Sequence, residues 1–425
     1  MSSTTPPHPS QKHIVILGGS YAALSTAHYT LKHTLPSLPS TYRVILISTT
    51  SQALCRPACP RALISESMFP QGKLFVDIEE QFKQYPEGSF EFVKGTVVDV
   101  DTKRRVVKYE VEVEGEEKKE VEFWALVVGT GASTPSPLLG FKADGDETSL
   151  TKSWEEFRTG LAAAKSIVIA GGGPAGIETA GELGEYLNGR AGFLSSSTSL
   201  SDPKVSITVI TAGSNILPAL RPSIAKTAEH YLAKVGVRVI KETRVVSVEP
   251  PNAGMEMQTL ITKAMLTLST GKIIEADIFI PATGMTPNTS FLPSSLLTRT
   301  GQIETNTSTL RVDNAGPRIY AIGDCSSYAR PAVHNILNSV PILGTNMKRD
   351  LLLAPGKAES EVPRQKSFKE DMREMQLVPI GKSRGVGAAM GWWVPSWLVW
   401  AIKGRDYWLW TTGAVWSGKQ WAKEG

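Results

Sequence analysis

Ser166 to Ala180 reads SIVIAGGGPAGIETA, and the fold turns on how this stretch is read. Ser166-Ile167-Val168-Ile169-Ala170 is a short apolar run of the kind buried in a parallel sheet. Gly171-Gly172-Gly173-Pro174-Ala175-Gly176 then matches G-x-G-x-x-G in full and opens a small-residue helix carrying Glu178 and Glu182. In such a strand–turn–helix unit the first glycine turns the chain and the second lets backbone approach a pyrophosphate. The third lets helix and strand pack closely, and the helix amides face the phosphate. Gly171, Gly173 and Gly176 are therefore candidates for binding a dinucleotide.

The same pattern stands about 150 residues earlier, where His13 to Ala27 reads HIVILGGSYAALSTA. Its turn, Gly18-Gly19-Ser20-Tyr21-Ala22-Ala23, puts Ser20 and Ala23 where the second and third glycines usually stand. Both are small, and Ser20 adds a hydroxyl donor. A related strand and turn closes the series, Arg318 to Ser326, RIYAIGDCS. Leu126 to Gly131 and Ala282-Thr283-Gly284 are further turns after apolar strands. Two dinucleotide openings in one chain predict an α/β protein with two Rossmann-like domains. The acid that commonly reads a ribose hydroxyl at the end of the next strand is missing from both units. Tyr42–Ile47 ends in Ser48, and Val205–Ile210 runs into Thr211-Ala212-Gly213. Without that carboxylate a 2′-phosphate is not repelled, so NADPH is as plausible as NADH. Arg221 is read either as a partner for that phosphate or as a solvated surface charge. Glu178 and Glu182, at i and i+4 near a helix N-terminus, either stabilise the helix dipole or, for Glu178, project toward the nicotinamide or hold a partner cation.

Composition narrows the class. The 425 residues are 41% hydrophobic and 20% charged, with a net charge of +4, enough apolar mass for sizeable cores and too little basic excess for a nucleic-acid binder. Three cysteines exclude a disulfide scaffold, and Cys55, Cys59 and Cys325 lack metal-site spacing. No stretch reaches the ~18–20 apolar residues that span a bilayer, and no targeting signal stands at either end, so a cytoplasmic protein is expected. The expected organisation is a first nucleotide domain over 1–140, a second over 141–285, the remainder of the first over 286–352, and a Trp-rich subdomain over 368–425. Val106 to Val128 reads as an antiparallel meander turning at Glu114-Gly115-Glu116, Ser195 to Asp202 as a Ser-rich loop, and Leu353 to Ser367 as a linker.

Taken in order, the Gly-rich turns and the Gly323-Asp324 pair resemble the two-dinucleotide flavoproteins of the glutathione-reductase fold. A closer resemblance is to the apoptosis-inducing-factor-2-like, or ferroptosis-suppressor, branch. It is carried by GGSYAALSTA near the start, CPRAL at 59–63, GGGPAGIETAGEL at 171–183, YAIGD at 320–324 and KGRDYW at 403–408. The resemblance implies FAD in the first unit and NAD(P)H in the second. It implies that Gly18, Gly19, Ser20, Tyr21 and Ala22 line the FAD pyrophosphate. Arg61 would approach FAD, Val97 would meet the adenine through its backbone, and Asp324 would bond the ribitol or pyrophosphate region. Lys403 would come close to the flavin and pair with Glu178, and these two are the candidate catalytic residues. Ala23, Cys55 and Cys59 depart from the pattern. Cys55-x-x-x-Cys59 lies where disulfide-reductase relatives keep a redox thiol, without their spacing, and is read either as a thiol that accepts electrons from reduced flavin or as two ordinary small residues; Cys325 is expected to be buried and inert.

Eight of the ten tryptophans lie between Trp392 and Trp421. Trp393, Trp397 and Trp400 share a helical face with Pro395 near its start, and Trp408 and Trp410 share one face if their segment is a strand. Such rings suit either a subdomain core or homodimer interface, or a peripheral membrane contact. The activity implied is an NAD(P)H oxidoreductase passing electrons through FAD to a quinone-type acceptor, with Lys403 or His334 as candidate proton sources. The alternative is a biosynthetic oxidase or monooxygenase acting on a small metabolite.

Overall fold

The computed structural model describes residues 11–39, 41–69, 71–111, 117–142, 145–191 and 199–424. The strand Lys12–Leu17 forms the middle of a five-stranded parallel sheet. Tyr42–Ser48 and then Phe90–Lys94 lie on one side, Ala125–Val128 and then Ile319–Ala321 on the other. A second parallel sheet runs Val237–Ile240, Ser206–Ile210, Ser166–Ala170, Ile278–Pro281. The chain builds most of the first sheet, leaves it to build the second, and returns with Ile319–Ala321 to complete the first. The apolar runs read as parallel strands are buried on both faces, because helices cover one side of each sheet and an antiparallel sheet covers the other. The fold is α/β with two Rossmann-like units.

Antiparallel sheets flank both units. Thr96–Asp101, Val106–Val111 and Glu117–Glu122 form a meander, with the expected turn at 114–116 outside the described residues. Ala125–Val128 does not continue it. All four of its residues are buried, and that two-sided apolar character places it in the parallel sheet beside Lys12–Leu17. Of the expected Ser-rich loop, residues 195–198 also lie outside the described residues.

The C-terminal segment forms a small antiparallel sheet, Gln376–Ile380, Arg384–Ala389 and Trp392–Trp393, followed by short helical turns. The sheet packs on the helix Pro174–Asn188 at Gly181, where an added Cβ would lie 2.8 Å from the Ile380 Cα. The last helix, Leu409–Trp416, reaches the helix Tyr21–Tyr29, with the Tyr21 and Trp416 rings 4.5 Å apart. The C-terminal segment thus touches the glycine-turn helix of both units. One apolar core runs from Cys55 and Cys59 through Ile167 and Ile177 to Ile380 and Tyr407. No helix among the described residues is long and apolar enough to cross a membrane.

The tryptophan pattern differs from expectation. Trp393 ends a strand, and the helix after Pro395 is the single turn Ser396–Val399, followed by a wider turn over Trp400–Gly404. Trp408 and Trp410 share no strand: Trp408 has φ 68° and caps the helix that contains Trp410. Pro395 and Gly404 break the segment into pieces too short for one continuous helical face.

Candidate active site

The two glycine turns are built alike. Gly18 has φ 119°, and a Cβ there would stand 2.4 Å from the Gly129 carbonyl oxygen; Gly171 has φ 133°, and its Cβ would stand 2.2 Å from the Ala282 carbonyl oxygen. Each turn is pressed against the end of the neighbouring parallel strand, so only glycine fits. Gly19 and Gly176 are also closed in: a Cβ would meet Ser48 Oγ and the Gly171 carbonyl oxygen, each at 2.2 Å. Gly173 differs, because nothing lies within 4 Å of its Cβ position. The protein does not need glycine there for its own packing, whereas a phosphate brought up to the backbone would. Gly173 caps the helix Pro174–Asn188 with no side-chain bond to its first amides. Ser20 likewise caps Tyr21–Tyr29 without a side-chain bond, its own side chain exposed and Tyr21 and Ala22 buried behind it. Both helix starts therefore leave amides directed at an anion.

Asp324 follows the strand Ile319–Ala321, and a Cβ on the adjacent Gly323 would lie 3.0 Å from the Ala22 Cβ, so the acid stands beside the first glycine turn. It takes no hydrogen bond from any described group. Burial pushes its carboxyl above the usual range, and Arg56 pulls it back. An acceptor held there without donors matches a ligand rich in hydroxyls. The open Gly173, the uncapped helix starts and the unsatisfied Asp324 fit the FAD and NAD(P)H that the resemblance implies. Val97 pairs with Tyr109 at an irregular step in the strand register, after Gly95, whose N–H donates to the Ser48 carbonyl.

Two buried ion pairs anchor the helix Pro174–Asn188, one to the C-terminal segment and one to the first unit. Lys403 Nζ donates to Glu178 Oε1 at 2.5 Å and to the Leu377 carbonyl at 3.1 Å. Burial pushes the Glu178 carboxyl up to about 7, against the pull of the lysine. One turn on, Arg61 grips Glu182 with two bonds, Nε to Oε2 at 3.0 Å and Nη2 to Oε1 at 2.7 Å, and the Tyr407 hydroxyl donates to Oε1 at 3.0 Å. Arg61 also donates to the Arg405 carbonyl. The structure thus gives Arg61 a different occupation from the expected approach to FAD. Its guanidinium joins the two units instead, because a bidentate fork is what a buried carboxylate requires. Arg221 is likewise engaged, with Glu374 and the Gly391 carbonyl, rather than turned toward a cofactor phosphate.

A line of contacts connects the units. The Tyr21 hydroxyl reaches Cys55 Sγ at 3.6 Å, Cys55 Sγ reaches the Tyr407 carbonyl at 3.7 Å, and Tyr407 bonds Glu182. Glu182 and Tyr407 escaped the sequence reading. Glu182 looked like a helix-dipole acid, and Tyr407 lies 225 residues away with no local pattern; only its place in KGRDYW hinted at it. The three cysteines are free and buried. Burial pushes the Cys55 thiol up to about 11 and the Cys59 thiol to about 12, so both stay protonated at neutral pH and are poor nucleophiles. His334 stands in the first turn of Val333–Leu353. Burial lowers its pKa, and Arg330 adds to the shift.

Comparison with known proteins agrees with this geometry. A model of the pyridine nucleotide-disulphide oxidoreductase family matches residues 12–341. The chain is 58% identical to oxidoreductase phnG of Penicillium herquei over 416 residues, covering 97% of this chain and 98% of that protein. It is 25% identical to human ferroptosis suppressor protein 1 over 418 residues, 94% of each chain. The structure of NDH2 from Plasmodium falciparum in complex with NADH shares the fold, with a TM-score of 0.63 at 16% identity, over 97% of this chain and all of that one.

Proposed function

The chain belongs to the pyridine nucleotide-disulphide oxidoreductase family and is an oxidoreductase of FAD and NAD(P)H; from that premise we propose that it passes electrons from reduced nicotinamide to a quinone-type acceptor. The observation that carries this reading is the buried Lys403–Glu178 pair, which anchors the helix Pro174–Asn188 to the C-terminal segment. Bound FAD supplies the chemistry that takes two electrons from the nicotinamide and gives them up again. The chain's part is to hold the two nucleotides and to manage protons. Gly18, Gly19, Ser20, Tyr21, Ala22 and Asp324 would hold FAD; Gly171, Gly173 and Gly176 would hold the nicotinamide nucleotide. A quinone that gains two electrons also needs two protons. The Lys403 ammonium and a Glu178 carboxyl that titrates near 7 form a proton store at neutral pH. Protonated, buried thiols at Cys55 and Cys59 argue against the disulfide exchange for which the family is named. The distant kinship with ferroptosis suppressor protein 1 supports placing the chain in that branch.

A second reading, an oxidase or monooxygenase acting on a small metabolite, draws on the much stronger similarity to the fungal oxidoreductase phnG. One experiment separates the two. The purified yellow protein is reduced anaerobically with NADH or NADPH, then mixed with a panel of ubiquinone and naphthoquinone analogues. Stoichiometric quinol formation with return of the flavin spectrum is expected. Reduced protein that ignores every quinone and reoxidises only with O2 and a metabolite defeats the first reading in favour of the second.

A further inference from the structure

Trp392, Trp393, Trp397, Trp400, Trp410 and Met390 are all exposed, with Trp392 at 78% and Trp397 at 66%. An apolar indole left in water is costly, and five within nineteen residues are not scattered surface residues. They belong to one compact piece of structure. Trp392–Trp393 pairs with Arg384–Ala389, and the Val394 N–H donates to the Gly387 carbonyl. The Ser396 hydroxyl accepts the Gly385 N–H, and Trp410 Nε1 donates to the Ile402 carbonyl at 3.2 Å. By contrast Trp416 and Trp421 in the same segment are buried. The segment has therefore given two of its rings to the core of the first unit and still presents five to the outside.

We propose that these exposed rings dock on an anionic lipid surface. Charge selects that occupant. Residues 381–424 hold six Lys or Arg and two Asp or Glu; with Lys403 set aside, because it is buried against Glu178, the segment keeps a net charge of +3. Exposed Arg405 follows directly on the turn that carries Trp400, its N–H donating to the Trp400 carbonyl. A second copy of the chain would set this positive segment against itself across a two-fold axis, whereas anionic headgroups neutralise it. Indole suits that boundary because its ring is apolar and its N–H needs a polar partner. The attachment lies on the surface, because no described helix is long and apolar enough to cross a membrane. The docking does not depend on which acceptor the enzyme uses. It has a consequence for access, however: Lys403 Nζ lies 4.9 Å from the ring centre of Trp408 in this same segment, so the proton store borders the lipid-facing side.

The test uses the full FAD-loaded chain with sedimenting vesicles of phosphatidylcholine alone or with phosphatidylserine. The chain should pellet with the mixed vesicles, its tryptophan emission shifting to the blue. Replacing Trp392, Trp393 and Trp397 by Ser should weaken partitioning about tenfold or more, and Arg405→Glu about fivefold. These residues lie outside the nucleotide cradles, so flavin absorbance and circular dichroism should stay unchanged. A wild-type chain that stays in the supernatant with both vesicle types at low salt overturns the proposal. So does equal partitioning of wild type and Arg405→Glu together with the triple variant. A lipid-free wild-type dimer, dissociated by the tryptophan replacements and indifferent to vesicles, overturns it in favour of self-association.

Discussion

The two buried carboxylates of the helix Pro174–Asn188 sit one turn apart and meet opposite fates. Glu182 receives three hydrogen bonds, two from the rigid fork of Arg61 and one from Tyr407. Glu178 receives one, from the flexible arm of Lys403. Burial costs both heavily unless the charge is met by donors. The fork and the phenol fix Glu182 as a charged fastener between the units. A single ammonium leaves Glu178 near the balance point, its carboxyl pushed up to about 7 by burial. The same side chain on the same helix is a structural tie in one place and, in the function proposed, a proton carrier in the other, and the number and rigidity of its donors make the difference.

Breaking the fastener should have the largest effect. Arg61→Ala strands Glu182 in a dry interior and should cost about 3–5 kcal/mol, read as a lowered denaturant midpoint. If the variant is as stable as wild type, the Arg61 pair is not a tie. Removing the other cation should spare the fold and hurt turnover. Lys403→Met leaves a carboxyl that can stay neutral, so stability should fall less than in Arg61→Ala. Quinone reduction should slow by about 10²-fold, while flavin reduction by nicotinamide changes far less in single-turnover kinetics. Equal loss in both half-reactions would mean that Lys403 serves the cradle and not the proton.

The acidity of Glu178 gives a third measurement. Its ordinary value is 4.5 and its folded value about 7, so folding favours the protonated form. That contribution is fully present below about pH 4.5 and is lost as pH rises through about 7. Wild type should therefore lose stability relative to Glu178→Gln over that window, and quinone reduction should decline above about pH 7 in wild type but not in the variant. Identical pH profiles would remove Glu178 as the titrating group. The smallest effect belongs to Cys59→Ala. Its thiol touches neither ion pair and stays protonated, so stability should fall by about 1 kcal/mol with turnover within about twofold of wild type.

What the sequence disclosed, and what it hid, follows the same division between near and far. The glycine turns were legible because their pattern lies within fifteen residues, apolar strand, tight bend and small helix start, although the backbones that press on them at Gly129 and Ala282 come from far along the chain. The Lys403–Glu178 pair spans 225 residues and was foreseen only through the resemblance carried by KGRDYW. The Arg61–Glu182–Tyr407 cluster draws on three separate stretches, and nothing local distinguishes a carboxylate that supports a helix dipole from one that receives a distant fork. Alternation in the neighbours of Ala125–Val128 suggests a hairpin, whereas its own unbroken burial decides for the parallel core. The tryptophan periodicity implied a continuous helix that Pro395 and Gly404 do not permit.

The tail also finishes the first helix. Beyond that helix's last turns, Lys32 donates to the Gly418 carbonyl and His33 Nε2 bonds the Trp421 carbonyl. His28 Nε2 bonds the Trp416 carbonyl and its Nδ1 the Tyr85 hydroxyl, both at 2.7 Å, and burial lowers its pKa to about 4. An element emerging early from the ribosome thus waits for residues made nearly four hundred codons later. Until they arrive, the helix flank lies uncovered and Lys32, His28 and His33 lack these acceptors, so removing residues 416–424 should destabilise the first unit although its glycine turn is untouched.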